Sequence, residues 1–204
     1  MLSFAPGRSR PRQAEPGEEI LYVVSGAGKL VLEGAEHRLE ADMGAYIAPG
    51  ERYEVENPGP DELKLVSVMA PADSSREPGL PSTVRYADQP ILPAGKDREF
   101  RYVIDTAGAT QFVGSIPPGR AKDHYHLYDE VVYILQGQGV LHLEGKDDTP
   151  IAAGSCIHLP PPLPHCLENV GTGPMRVLGV FYPSGSPAEA YNLPEGGGEG
   201  GRTA

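Results

Sequence analysis

Two stretches of this chain are copies of one another. EILYVVSGAGKLVLEG (19–34) and EVVYILQGQGVLHLEG (130–145) agree at eight of sixteen positions when Glu19 is placed on Glu130. Each reads as a β-branched and aromatic run, a Gly-x-Gly turn and an alternating apolar run, the pattern of two strands joined tightly. The match continues more loosely, with Gly44, Pro49, Tyr53 and Asn57 corresponding to Gly154, Pro160, His165 and Asn169. A repeat on this scale confines the fold to two similar units built from the same supersecondary element.

Composition says what kind of unit. Gly (26) and Pro (22) make up nearly a quarter of the 204 residues, and no long segment carries a 3.6-residue apolar period. Short strands joined by tight turns follow, so the fold class is all-β. The formal charge of -11 argues against nucleic acid, since phosphate binding needs clustered Lys and Arg. No apolar run approaches the roughly 18 to 20 residues of a membrane span, and MLSFAPGRSR lacks the apolar centre of a signal peptide. A cytoplasmic protein is expected. Cys156 and Cys166 are too few for a disulfide framework and read as small buried thiols.

The second copy carries chemistry in GRAKDHYHLYDEVVYILQG (119–137). Alternate side chains leave one face of a strand, so His124 and His126 point together, with Glu130 opening the next strand. His165, beyond the proline-rich turn of GSCIHLPPPLPHCLEN, supplies a fourth donor. Three imidazoles and a carboxylate form a mixed N/O set suited to one divalent transition metal such as Mn, Fe, Ni or Zn.

These residues resemble the two motifs of the cupin superfamily. Gly119, His124, His126, Glu130 and Gly137 are similar to the first, and Gly154, Pro160, His165 and Asn169 to the second. Two departures leave the donors intact: one residue fewer separates Gly119 from His124, and Pro162 replaces a turn glycine. With the repeat, the resemblance implies two cupin-type jelly-roll barrels in tandem, with the metal site in the C-terminal barrel. Counting back from Glu19, Gln13 and Glu15 take the places of His124 and His126, and Tyr53 that of His165; only Glu19 survives in the first copy.

The chain accordingly divides into a degenerate N-terminal barrel (1–70), a linker (71–82), a metal-binding barrel (83–183) and a Gly- and Pro-rich tail (184–204), partly disordered. The first copy is too short to close alone, because a jelly roll uses about eight strands. It is expected to borrow strands from 83–104, from the C-terminal segment or from a second subunit, and a homodimer is the assembly this favours.

A divalent ion with one carboxylate and three neutral imidazoles keeps a residual charge of +1. The site should therefore favour a small, anionic, bidentate oxygen ligand such as an α-keto acid, enediolate, catecholate or dicarboxylate. The ligand set is similar to that of cupin dioxygenases, but also to that of cupin decarboxylases, and single-site bicupins include an aminohydrolase. A dioxygenase-type oxidoreductase is the leading reading; a non-catalytic small-ligand-binding cupin is the alternative. Glu130, His158 and Tyr128 are the candidate catalytic residues, with His158 as a proton shuttle and Tyr128 as a hydrogen-bond donor to bound substrate. Arg120 and Lys122 read as solvated charges by default, with the pocket mouth, facing a carboxylate, as their alternative place; His142 is expected on the solvent side of its strand.

Overall fold

The computed structural model describes residues 1–72, 79–95, 97–189 and the backbone of 191–192. The chain forms two β-sandwich units. In the first, one sheet runs in the order Leu2–Phe4, Leu63–Pro71, Gly17–Ser25, Met43–Ile47, Thr83–Arg85, and the facing sheet in the order Gly7–Arg8, Arg52–Asn57, Ala27–Leu32, Ala35–Glu40. In the second, Leu92–Ala94, Arg98–Asp105, Thr110–Ile116, Met175–Tyr182, Asp129–Gln136 and Cys156–Leu159 face a sheet of Thr149–Ala152, Gln138–Leu143, His165–Asn169, His124–Tyr125 and Tyr191–Asn192.

The sequence repeat is a structural repeat down to its irregularities. The register slips between Val23 and Ser25 in the first unit and between Ile134 and Gln136 in the second, just before Gly26 and Gly137, whose φ values of 87° and 94° suit glycine. The paired asparagines also do one job. Asn57 Nδ2 donates to the carbonyls of Phe4 and Asp61, and Asn169 Nδ2 to those of Ile116 and Gly173. Each side-chain oxygen then accepts from a glycine two residues on, closing the turn.

Burial on both faces of the strand explains why ILYVV (20–24) is apolar throughout. Leu21 and Val23 face the first sandwich core with Leu30, Leu32, Leu63 and Leu65, whereas Ile20 and Tyr22 turn outward. The outward set meets Val103, Ile104, Val113, Tyr133 and Leu178 of the second unit, so the two large sheets pack back to back. Arg176 ties the units by pairing with Asp42 at 3.0 Å, an oxygen that also accepts from Tyr22 Oη at 2.8 Å.

Thr83–Arg85, which the sequence reading assigned to the second barrel, hydrogen-bonds to Met43–Ala45 of the first. The strand Met43–Ile47 would otherwise present an unpaired backbone edge. The first sheet therefore takes a strand from the 83–104 region of its own chain, and the second unit's sheet starts at Leu92. Of the tail, Tyr191–Asn192 pairs with His124–Tyr125. The expected disorder of the final glycine-rich stretch concerns 193–204, outside the described residues.

Candidate metal centre

Strand register brings the histidines together. His124 lies directly opposite His165 in the ladder, with ring centroids 4.6 Å apart, and the His126 ring stands 5.2 Å from that of His124. One potential ligand atom from each of the three rings lies within 4.8 Å of the others. Glu130, at the start of Asp129–Gln136, flanks the cluster: its Oε2 is 3.4 Å from His165 Nε2 and 3.7 Å from His126 Nε2.

Backbone carbonyls orient two of the rings. His124 Nδ1 lies 3.2 Å from the Lys122 carbonyl and His165 Nδ1 2.8 Å from that of Leu163, contacts made as N–H donors that leave each Nε2 with its lone pair. The third ring is held by stacking. Tyr128 lies parallel to His126 at 5.1 Å, and Phe181 packs on it at 5.1 Å. His126 Nδ1 is buried with no hydrogen-bond partner among the described residues. Burial, aided by the charge of neighbouring His165, lowers the His124 pKa to about 4, and burial lowers that of His126. Burial also opposes the His165 imidazolium, but the bond and charge of Glu130 outweigh it and raise that pKa. Two neutral imidazoles beside a carboxylate-paired third are a donor set a divalent ion fits.

The cluster opens on a cavity of about 530 Å³ whose walls include Phe100, Phe112, Val132, Leu159, Leu167 and Phe181. Arg120 and Lys122 line it, with Arg120 in a solvent-exposed pair with Asp123 at 3.2 Å. Arg98 lines it too, and sequence reasoning missed it. The available signal was parity: Arg98 and Phe100 share one face of their strand.

The other two candidate catalytic residues are placed differently from one another. His158 pairs with Val131 while Leu159 pairs with Glu130, so His158 takes the face opposite the site. It is exposed, and its Nε2 meets Asp129 Oδ1 at 2.8 Å. Tyr128 stacks its ring on His126, and its hydroxyl donates to the Ser186 carbonyl at 2.7 Å. His142 does sit on the outer face, yet only 8% of it is exposed, because Asp148 and Glu168 contact its two nitrogens at 2.7 and 2.8 Å. Cys166 is buried as expected, whereas Cys156 is exposed.

In the first unit, the equivalent position is filled by protein. Tyr53 Oη donates to Glu19 Oε2 at 2.7 Å, Ser67 donates to Oε1 at 2.5 Å, and Arg12 Nε donates to Tyr53 Oη at 2.7 Å. Gln13 and Glu15, in the places of the lost histidines, are exposed and bond to each other.

The cupin domain model matches residues 1–69 and again 112–181, one span in each sandwich. The chain belongs to the cupin family. An uncharacterised protein from Methanocaldococcus jannaschii is 34% identical over 72 residues, 34% of this chain and 57% of that protein, so the match spans little over half of the relative. Among solved structures, a putative glyoxylate-induced protein from Pseudomonas aeruginosa superposes with a TM-score of 0.73 at 22% identity, covering 87% of this chain and 71% of that one. Bacillus subtilis oxalate decarboxylase, a protein with Mn(II) centres, gives 0.70 at 14% identity, covering 94% and 69%. At these identities the structural likeness establishes the cupin fold. No helix among the described residues is long and apolar enough to cross a membrane.

Proposed function

We propose that the second cupin unit holds one divalent transition metal through His124, His126, His165 and Glu130, and is a metal-dependent enzyme of dioxygenase type acting on a small, anionic, bidentate organic substrate. The observation that carries this reading is the meeting of three imidazoles, two with Nδ1 on a backbone carbonyl, beside a buried carboxylate. A bound divalent ion supplies positive charge and Lewis acidity. The chain's own residues do the rest. Low proton affinity keeps His124 and His126 neutral at physiological pH, and Glu130 leaves the loaded site with a single net positive charge. Phe181 and Tyr128 fix the His126 ring, and the apolar wall limits water around a bound anion. On the sequence reading, the protein works as a cytoplasmic homodimer.

Metal analysis of purified protein, followed by oxygen-electrode and carbon dioxide assays on α-keto acids, catechols and dicarboxylates after reconstitution with Fe, Mn, Ni or Zn, tests the proposal. Oxygen uptake is the expected result. Carbon dioxide release without oxygen uptake would assign decarboxylation, in keeping with the oxalate decarboxylase fold likeness. Metal binding with no turnover would leave a non-catalytic ligand-binding cupin.

A further inference from the structure

The two units differ in one further respect. Leu2–Phe4 ends its sheet in the first unit, but the equivalent strand Thr110–Ile116 is followed outward by Arg98–Asp105 and then Leu92–Ala94. This added hairpin belongs only to the unit with the histidines, and it supplies Ala94, Arg98 and Phe100 to the cavity wall. Alternation sends Arg101 the other way, over the Tyr86 ring at 4.9 Å, and keeps Arg98 and Phe100 on the cavity side.

Arg98 is half-buried there and donates from one terminal nitrogen to the Leu167 carbonyl at 3.0 Å. Among the described residues no carboxylate lies within ion-pair distance of it. A guanidinium has five N–H donors in a planar fork, so a single carbonyl leaves most of its capacity unspent. Burial lowers its pKa, against the opposing influence of Cys166 and of the Asp97 carboxylate. Leu167 stands two residues from His165 on one strand, so the carbonyl that Arg98 meets lies on the order of 7 Å along the backbone from His165. The cavity they share is lined by Phe100 and Phe112 as well as by Asp97 and Glu99 beside Arg98, and is several times larger than a two-carbon diacid needs.

The geometry points to Arg98 as the anchor for a substrate carboxylate remote from the metal. This deepens, and rests on, the metal-enzyme reading. The substrate class becomes a flat organic acid with an aromatic or similarly apolar body, bearing a chelating oxygen pair at one end and a carboxylate about 7 Å away. The apolar body packs on Phe100 and Phe112 while Arg98 pairs with the carboxylate through two parallel N–H donors.

The test uses full-length protein loaded with redox-inert Zn(II), its metal content measured, and titrated calorimetrically with 3,4-dihydroxybenzoate and its neutral isostere 3,4-dihydroxybenzamide. Wild type is expected to prefer the acid. Arg98→Met should weaken binding of the acid by roughly ten- to a hundredfold and that of the amide by less than about twofold, with zinc content unchanged. Arg98→Lys should restore part of the preference, since it keeps the charge but loses the fork. Equal weakening of both probes would mean that Arg98 only braces Leu167, and unchanged binding of both would mean that the acid does not reach it; either overturns the anchor while leaving the metal site standing. Failure of wild type to take up zinc or any of Mn, Fe and Ni overturns both readings.

Discussion

Tyr53 Oη lies 2.7 Å from Glu19 Oε2, in the place where the second unit sets His165 Nε2 3.4 Å from Glu130 Oε2. One scaffold position thus has two uses. In the first unit a phenol donates to the carboxylate; in the second an imidazole nitrogen, able to give up its proton in favour of a metal, faces it instead. Ser67 and Arg12 complete the satisfaction of Glu19, which is only 2% exposed. In the first unit hydrogen bonds fill the place that the imidazole cluster takes in the second.

Tyr53→Phe should therefore cost stability and nothing else. Removing one donor from a buried carboxylate is worth about 1–3 kcal/mol, read as a lower urea midpoint. Metal content should stay at the wild-type level. A loss of metal on this substitution would show that the first unit takes part in binding.

His126→Ala removes one of four donors and should greatly reduce metal retained after dialysis, whereas Gln13→Ala, at the equivalent place in the first unit, should leave it unchanged. Elemental analysis of the two variants side by side decides the matter. Equal metal in both would assign the wrong unit.

In metal-free protein, the histidine cluster makes stability depend on pH. His124 falls from an ordinary 6.5 to about 4 on folding, so between those values the unfolded chain binds a proton that the folded chain refuses. Stability is full above about 6.5 and declines as pH falls toward 4, by roughly 3 kcal/mol for this group. His126 acts in the same direction. His165 acts oppositely: its raised pKa adds stability at low pH that is lost as pH rises through the folded value. Urea midpoints from pH 7 to 4 should slope downward in wild type and less steeply in His124→Gln. Parallel slopes would refute the assignment.

The back-to-back packing of the two units should tolerate no side chain at position 44. A Cβ on Gly44 would come within 2.4 Å of Val103 Cγ1 and 3.0 Å of Gln111 Oε1 across the interface. Gly44→Ala is expected to destabilise by about 1–3 kcal/mol, measured by denaturation, without changing metal content. A neutral result would mean that the sheets can separate at little cost.

His158→Ala should leave metal content and ligand affinity at wild-type levels, because His158 faces solvent with Asp129. Its exclusion illustrates what the residues alone concealed. Parity tied His158 to Cys156, but only the pairing of Leu159 with Glu130 shows which parity faces inward. A period of two gives two faces and does not say which is inside. For Tyr128 the position beside Glu130 is legible in the sequence, whereas the Ser186 carbonyl that takes its hydroxyl comes from a segment 58 residues away.

The sequence by itself determined the repeat, the all-β class, the positions of the donors and the loss of three of them in the first copy, because spacing and alternation are local properties of strands and turns. Tertiary structure alone decided three other things: that Thr83–Arg85 completes the first sheet, that Tyr53 occupies Glu19, and that Arg98 enters the cavity beside the histidines. Each depends on contact between segments remote along the chain, and such contacts are set by which sheet edge needs pairing and which face is buried.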